Sequence, residues 1–97
     1  MAILSPLRSR SRRKMQGLTS RELTVLLEAE PTYHLSAVRT RIDGEFCWQL
    51  QVSSADGKKK YLLNAARGGA RNWKGLNFLA SFIRDQFPGV KSFSVYL

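Results

Sequence analysis

The stretch VRTRIDGEFCWQLQV, residues 38–52, decides the fold. Its second half alternates without a break. Phe46, Trp48, Leu50 and Val52 fall on one side, and Cys47, Gln49, Gln51 and then Ser53 on the other. A period of two is the mark of a strand with one face buried. The first half alternates as well, with Val38, Thr40 and Ile42 against Ala37, Arg39 and Arg41. Asp43-Gly44 between the halves is a two-residue turn signal, because both central positions of such a turn need positive φ. The spacing predicts an antiparallel hairpin whose inner face is Phe46, Trp48, Leu50 and Val52.

Working outward, LTSRELTVLLEAE (18–30) reads as a sharply started helix. Thr19 is the N-cap, Glu22 stands three residues on, and Leu18 and Leu23 bracket them as a hydrophobic staple. Leu23, Leu26 and Leu27 form its apolar face, and Pro31 ends it by disfavouring helical geometry at Glu30. Asp56-Gly57 marks a second turn, and KKKYLLNAA (58–66) follows as a third strand. ARGGAR (66–71) is a loop. NWKGLNFLASFIRDQF (72–87) has helical spacing through Trp73, Leu76, Leu79, Ala80, Ile83 and Phe87, with Asn72 as its expected cap and Phe78 and Phe82 widening the stripe. Pro88-Gly89 stops it, and VKSFSVYL (90–97) closes as a strand with Phe93, Val95 and Leu97 on one face.

The expected architecture is α+β: an antiparallel β-sheet covered by helices, in the order α-β-β-β-α-β. Residues 1–17, rich in Ser and Arg, cannot bury enough apolar surface to order themselves. They read as a flexible basic arm before a single domain over 18–97. No internal repeat is visible. The apolar start of the chain is short and precedes its charges, the reverse of a secretory signal, so a cytoplasmic protein without a membrane anchor is expected. One cysteine, Cys47, permits no disulfide within the chain.

Charge carries the functional signal. The 97 residues hold 16 Lys and Arg against 7 Asp and Glu, a net charge of +9. The excess is concentrated in two blocks. Arg8, Arg10, Arg12, Arg13 and Lys14 lie in the arm with no acid among them, and Lys58, Lys59, Lys60, Arg67, Arg71 and Lys74 follow the second turn, again without an acid. A mildly acidic segment separates them. Such a balance draws nucleic acid, anionic membrane or acidic protein. A lysine-rich hairpin tip also serves simply to keep a sheet edge soluble.

Nothing points to catalysis. His34 is the only histidine, with no cysteine or carboxylate beside it in sequence. His34 and Cys47 are too few for a zinc site. RGGAR lacks the spacing and the Lys-Ser/Thr ending of a phosphate-cradling loop. No catalytic residue, metal or cofactor is expected.

The strand alternation places Arg39, Arg41, Gln49 and Gln51 on the outer sheet face. Arg pairs bidentately with guanine and Gln with adenine, and a β-ribbon can enter a major groove. Lys58, Lys59 and Lys60 then stand at the rim for phosphates, and the arginine arm adds backbone affinity. Trp73, Phe78 and Phe82 also offer a base-stacking reading, against which helical spacing favours core packing.

Residues 37–85, with the Val-Arg-x-Arg of the first strand, the strand tryptophan, the basic hairpin and the aromatic opening the packing helix, resemble the three-strand-plus-helix DNA-binding module of plant ethylene-response factors and of tyrosine-recombinase arm-binding domains. The resemblance implies that Arg39, Arg41, Trp48 and Gln49 face DNA. The first helix and last strand are foreign to that module. The C-terminal half, from Tyr61 onward, is similar to small basic accessory proteins of bacterial plasmids and integrating conjugative elements, which implies a role in maintenance, partition or regulation. Double-stranded-RNA-binding domains share the α-β-β-β-α order, but this chain lacks their Lys-Lys-x-Ala-Lys helix start.

The sequence therefore leads to a small non-enzymatic DNA-binding protein, with duplex DNA as its partner. An adaptor docking an acidic protein and an RNA- or single-strand-binding factor are the alternatives. The last strand is an edge through which a second copy could pair to give a homodimer.

Overall fold

Asp43 and Gly44 take φ of 53° and 81°, the paired positive values that a tight two-residue hairpin demands. They do so in a computed structural model that describes residues 15–66 and 68–97. The turn joins β2 (His34–Ile42) to β3 (Glu45–Ser53). A second turn, at Asp56-Gly57, leads to β4 (Lys60–Leu63). In that turn the Asp56 carboxylate accepts hydrogen bonds from the Ser54 hydroxyl (2.6 Å) and the Lys58 amide (3.0 Å). These two donors, the hydroxyl first, hold the Asp56 carboxyl below its ordinary pKa.

β1 (Gln16–Leu18) precedes α1 (Ser20–Ala29), and α2 (Leu76–Gln86) leads to β5 (Ser94–Tyr96). The five strands form one sheet in the order β1-β4-β3-β2-β5. The two hairpins make β2, β3 and β4 antiparallel, whereas β1 pairs parallel to β4 and β5 parallel to β2. The fold is α+β as expected, but the sheet is mixed rather than antiparallel. A strand reached through a helix returns in the direction of the strand before that helix, so each helical connection places a parallel strand at an edge.

The order also gains a strand at the front. Gln16 and Gly17, expected in the arm, belong to β1, and residues 1–14 lie outside the described residues. Gly17 leaves room there for the Asn64 side chain beside β4, which a Cβ on it would displace. α1 starts as its sequence predicts. The Thr19 hydroxyl accepts from the Glu22 amide (3.2 Å), and the Glu22 carboxylate accepts from the Thr19 amide (2.9 Å).

Both helices supply the core on one side of the sheet. Leu23 of α1 and Leu79 and Ile83 of α2 pack with Leu35, Ala37, Leu50, Val52, Leu63, Trp73 and Phe87. Each fully buried leucine contributes about 1.5–3 kcal/mol by leaving water. The expected inner face of β3 is only half covered. Leu50 and Val52 are buried, Trp48 is half-buried, and Phe46 is 53% exposed. The last strand is shorter than expected, and Val95 and Leu97 are exposed rather than packed.

Candidate nucleic-acid interface

Directly opposed residues of an antiparallel pair share a face. The β2–β3 register sets Arg39 opposite Trp48, Arg41 opposite Phe46, and Val38 opposite Gln49. Arg39 and Arg41 therefore project on the helix side, with the core residues of β3, and Gln49 and Gln51 project on the other. The expected four-residue reading surface on the outer face is not formed. The alternation within each strand was read correctly, but the turn fixes which alternate faces which.

The basic block after the second turn also divides. Lys60 lies opposite Ser53, so Lys58, Lys59 and Lys60 occupy the end of the sheet remote from Arg41 and Phe46. The rise of β3 between those two levels is roughly 23 Å at about 3.3 Å per residue. The lysines are not at the rim of the arginines.

The chain beyond β4 goes the other way. A turn closed by the Ala65 amide donating to the Gly69 carbonyl (2.9 Å) folds it back, and Ala70 bridges Asn64. Trp73 then pairs with Trp48: the Trp48 amide donates to the Trp73 carbonyl (2.8 Å), and the Trp73 amide to the Trp48 carbonyl (2.9 Å). Residues expected to open α2 are thus extended backbone against β3. α2 begins only at Leu76, with Gly75 at its N-cap and no side-chain cap. Asn72, expected as that cap, instead accepts through its Oδ1 a hydrogen bond from the Gln49 side-chain amide Nε2 (2.9 Å) on the outer face.

The result is a row across one end of the sheet on its helix side. Arg39, Trp48 and Trp73 are neighbours on successive extended segments. The Arg39 guanidinium lies 3.7 Å from the Phe46 ring centre, and that of Arg41 lies 5.4 Å from it. At the far end Arg71 lies 4.5 Å from the ring centre of Phe82 and 5.0 Å from that of Trp73. Phe82 packs on Trp73 with ring centres 5.1 Å apart. Phe78, 61% exposed, stands one helical turn before Phe82. Exposed Lys74 lies where the chain leaves β3 for α2.

This end is electropositive by construction. All seven acids of the chain lie among the described residues, where the only ion pair joins Arg84 to Asp85. Arg39, Arg41, Arg71 and Lys74 are therefore unpaired with any carboxylate. The nearest acids in sequence are Asp43, in the turn, and Glu45, which projects on the outer face opposite Ile42. The start of α2 adds partial positive charge from its free amides, with no acidic residue in its first turn to offset it. Lone cations resting on aromatic faces are held in place without being neutralised.

The other titratable features lie elsewhere. His34 Nε2 is 2.7 Å from the Ser94 hydroxyl, a contact that ties β5 to β2. Burial, and next the neighbouring Tyr61, raise the Tyr33 pKa. Cys47 is half-buried on the outer face, and its thiol is free. Among the described residues no group of three His, Cys, Asp or Glu side chains could hold a metal ion, and no helix is long and apolar enough to cross a membrane. Of the expected phosphate contacts, Arg8, Arg10, Arg12, Arg13, Lys14 and Arg67 lie outside the described residues. Sequence reading missed Phe46 as an exposed ring and the joining of Arg71 to Arg39. The signal for Phe46 was the two-residue turn, which fixes the register of the hairpin. Arg71 joins through the long-range Trp48–Trp73 bridge, for which the sequence carries no local signal.

No protein-family model matches the chain, and neither the curated proteins nor the solved structures contain a match.

Proposed function

We infer that the protein is a non-enzymatic nucleic-acid-binding protein whose contact surface is the arginine–aromatic end of the sheet. One observation carries the reading: the fold gathers Arg39, Arg41, Arg71 and Lys74 from two distant stretches of sequence and leaves all four without an acid. A polyanion backbone satisfies such a set, since each neutralised phosphate releases a counterion. Lys58, Lys59 and Lys60 lie at the opposite end, with Lys60 on the outer face opposite Ser53, and give a longer strand that passes round the sheet a second point of attachment. A maintenance, partition or regulatory role on a plasmid or integrating element, which the sequence resemblance implies, fits such a surface and is proposed with it.

The test is equilibrium binding of the full chain to labelled nucleic acids over a range of salt concentrations. Contact with about five phosphates gives a log–log slope of roughly −3.5 to −4.5, near −0.7 per contact for single strands and −0.9 for duplex DNA. Absence of binding to every nucleic acid at low salt would overturn the reading in favour of an acidic protein partner.

A further inference from the structure

We propose, resting on the nucleic-acid reading above, that this surface takes single-stranded nucleic acid, with unpaired bases stacking on Phe46, Phe78 and the Arg39 guanidinium. The exposed rings are what a duplex does not use. Inside a double helix the faces of the bases are stacked on one another, and only edges, sugars and phosphates meet a protein. A phenyl ring set among arginines gains little from those groups. An unpaired nucleotide presents both a base face for the ring and a phosphate for the cation beside it.

The geometry repeats this combination twice. Phe46, 53% exposed, carries Arg39 at 3.7 Å. Phe78, 61% exposed, stands beside Phe82, which carries Arg71 at 4.5 Å. Half-buried Trp48 lies on the helix side, opposite Arg39 in the ladder and bridged to Trp73. Core packing does not account for the two exposed rings, because α2 contributes Leu79 and Ile83 to the core and β3 contributes Leu50 and Val52. Phe78 stands over the backbone of Gly75, where a Cβ would come within 3.2 Å of its ring. The duplex-reading arrangement, in contrast, needs Arg39 and Gln49 on one face, and they are on opposite faces.

Fluorescence anisotropy with labelled oligo(dT), oligo(rU) and a blunt duplex of equal length tests the assignment on the full chain. Tighter binding of either single strand than of the duplex is the expected result, and the two single-strand arms distinguish DNA from RNA. Phe46→Ala and Phe78→Ala each weaken single-strand binding about five- to hundredfold, the range of one lost base–aromatic stack, while duplex binding changes little. Phe46→Tyr and Phe78→Trp restore single-strand affinity, which separates stacking from any effect on folding. Equal or tighter duplex binding with both alanine variants neutral would overturn the stacking proposal and leave the electropositive surface standing. Failure of all three probes to bind at low salt would remove both.

Discussion

Trp73→Ala destabilises the protein by about 3–5 kcal/mol, the range for removing a large aromatic side chain from a core. Trp73 is only 8% exposed and packs with Phe82, and its backbone is the bridge that holds the return segment to β3. A domain of this size has about 5–15 kcal/mol in total, so one substitution removes a large share of it. Denaturant titration reads the loss as a lower midpoint. Phe78→Ala, in the first turn of α2, leaves stability within about 0.5 kcal/mol because its ring is mostly in solvent. If Trp73→Ala were neutral and Phe78→Ala severe, the division of these aromatics between core and surface would be wrong.

The second large effect concerns binding. Arg39→Ala, Arg41→Ala and Arg71→Ala combined weaken nucleic-acid affinity at low salt by about three orders of magnitude or more, at about 1.5–3 kcal/mol for each lost hydrogen bond to a charged group. The salt slope becomes shallower by roughly 2 to 3, at 0.7 to 0.9 per arginine. Gln49→Ala and Gln51→Ala combined, on the opposite face of the same strands, leave affinity and slope nearly unchanged. Equal losses in the two combinations would place the ligand across the hairpin edge rather than on the helix side.

Much of this was legible in the chain. The Thr19–Glu22 capping box and the Asp43-Gly44 turn act through neighbours in sequence, so their residue types suffice. The face of Arg39 was legible too, in principle. A two-residue turn sets Ile42 opposite Glu45, and counting back from that pair sets Arg39 opposite Trp48. Reading each strand's alternation separately loses that constraint and puts the arginines with the glutamines. β1 was not legible. Gln16–Leu18 is too short to show a period, and its partner β4 lies more than forty positions away. Trp73 misled for a different reason. Its spacing to Leu76 and Leu79 fits a helix, but its backbone pairs with Trp48, and a long-range ladder overrides a local pattern. The division of the basic block has the same cause: residues adjacent in sequence separate when the chain reverses between Lys60 and Arg71.

Side-chain resonances test the central claim most directly. During titration of the full chain with nucleic acid, the Nε–H signals of Arg39, Arg41 and Arg71 and the indole N–H of Trp48 shift together and saturate at one affinity, while the side-chain amide of Gln51 stays in place. Shifts confined to Gln51 and the other outer-face side chains, with the three arginines unmoved, would contradict the account.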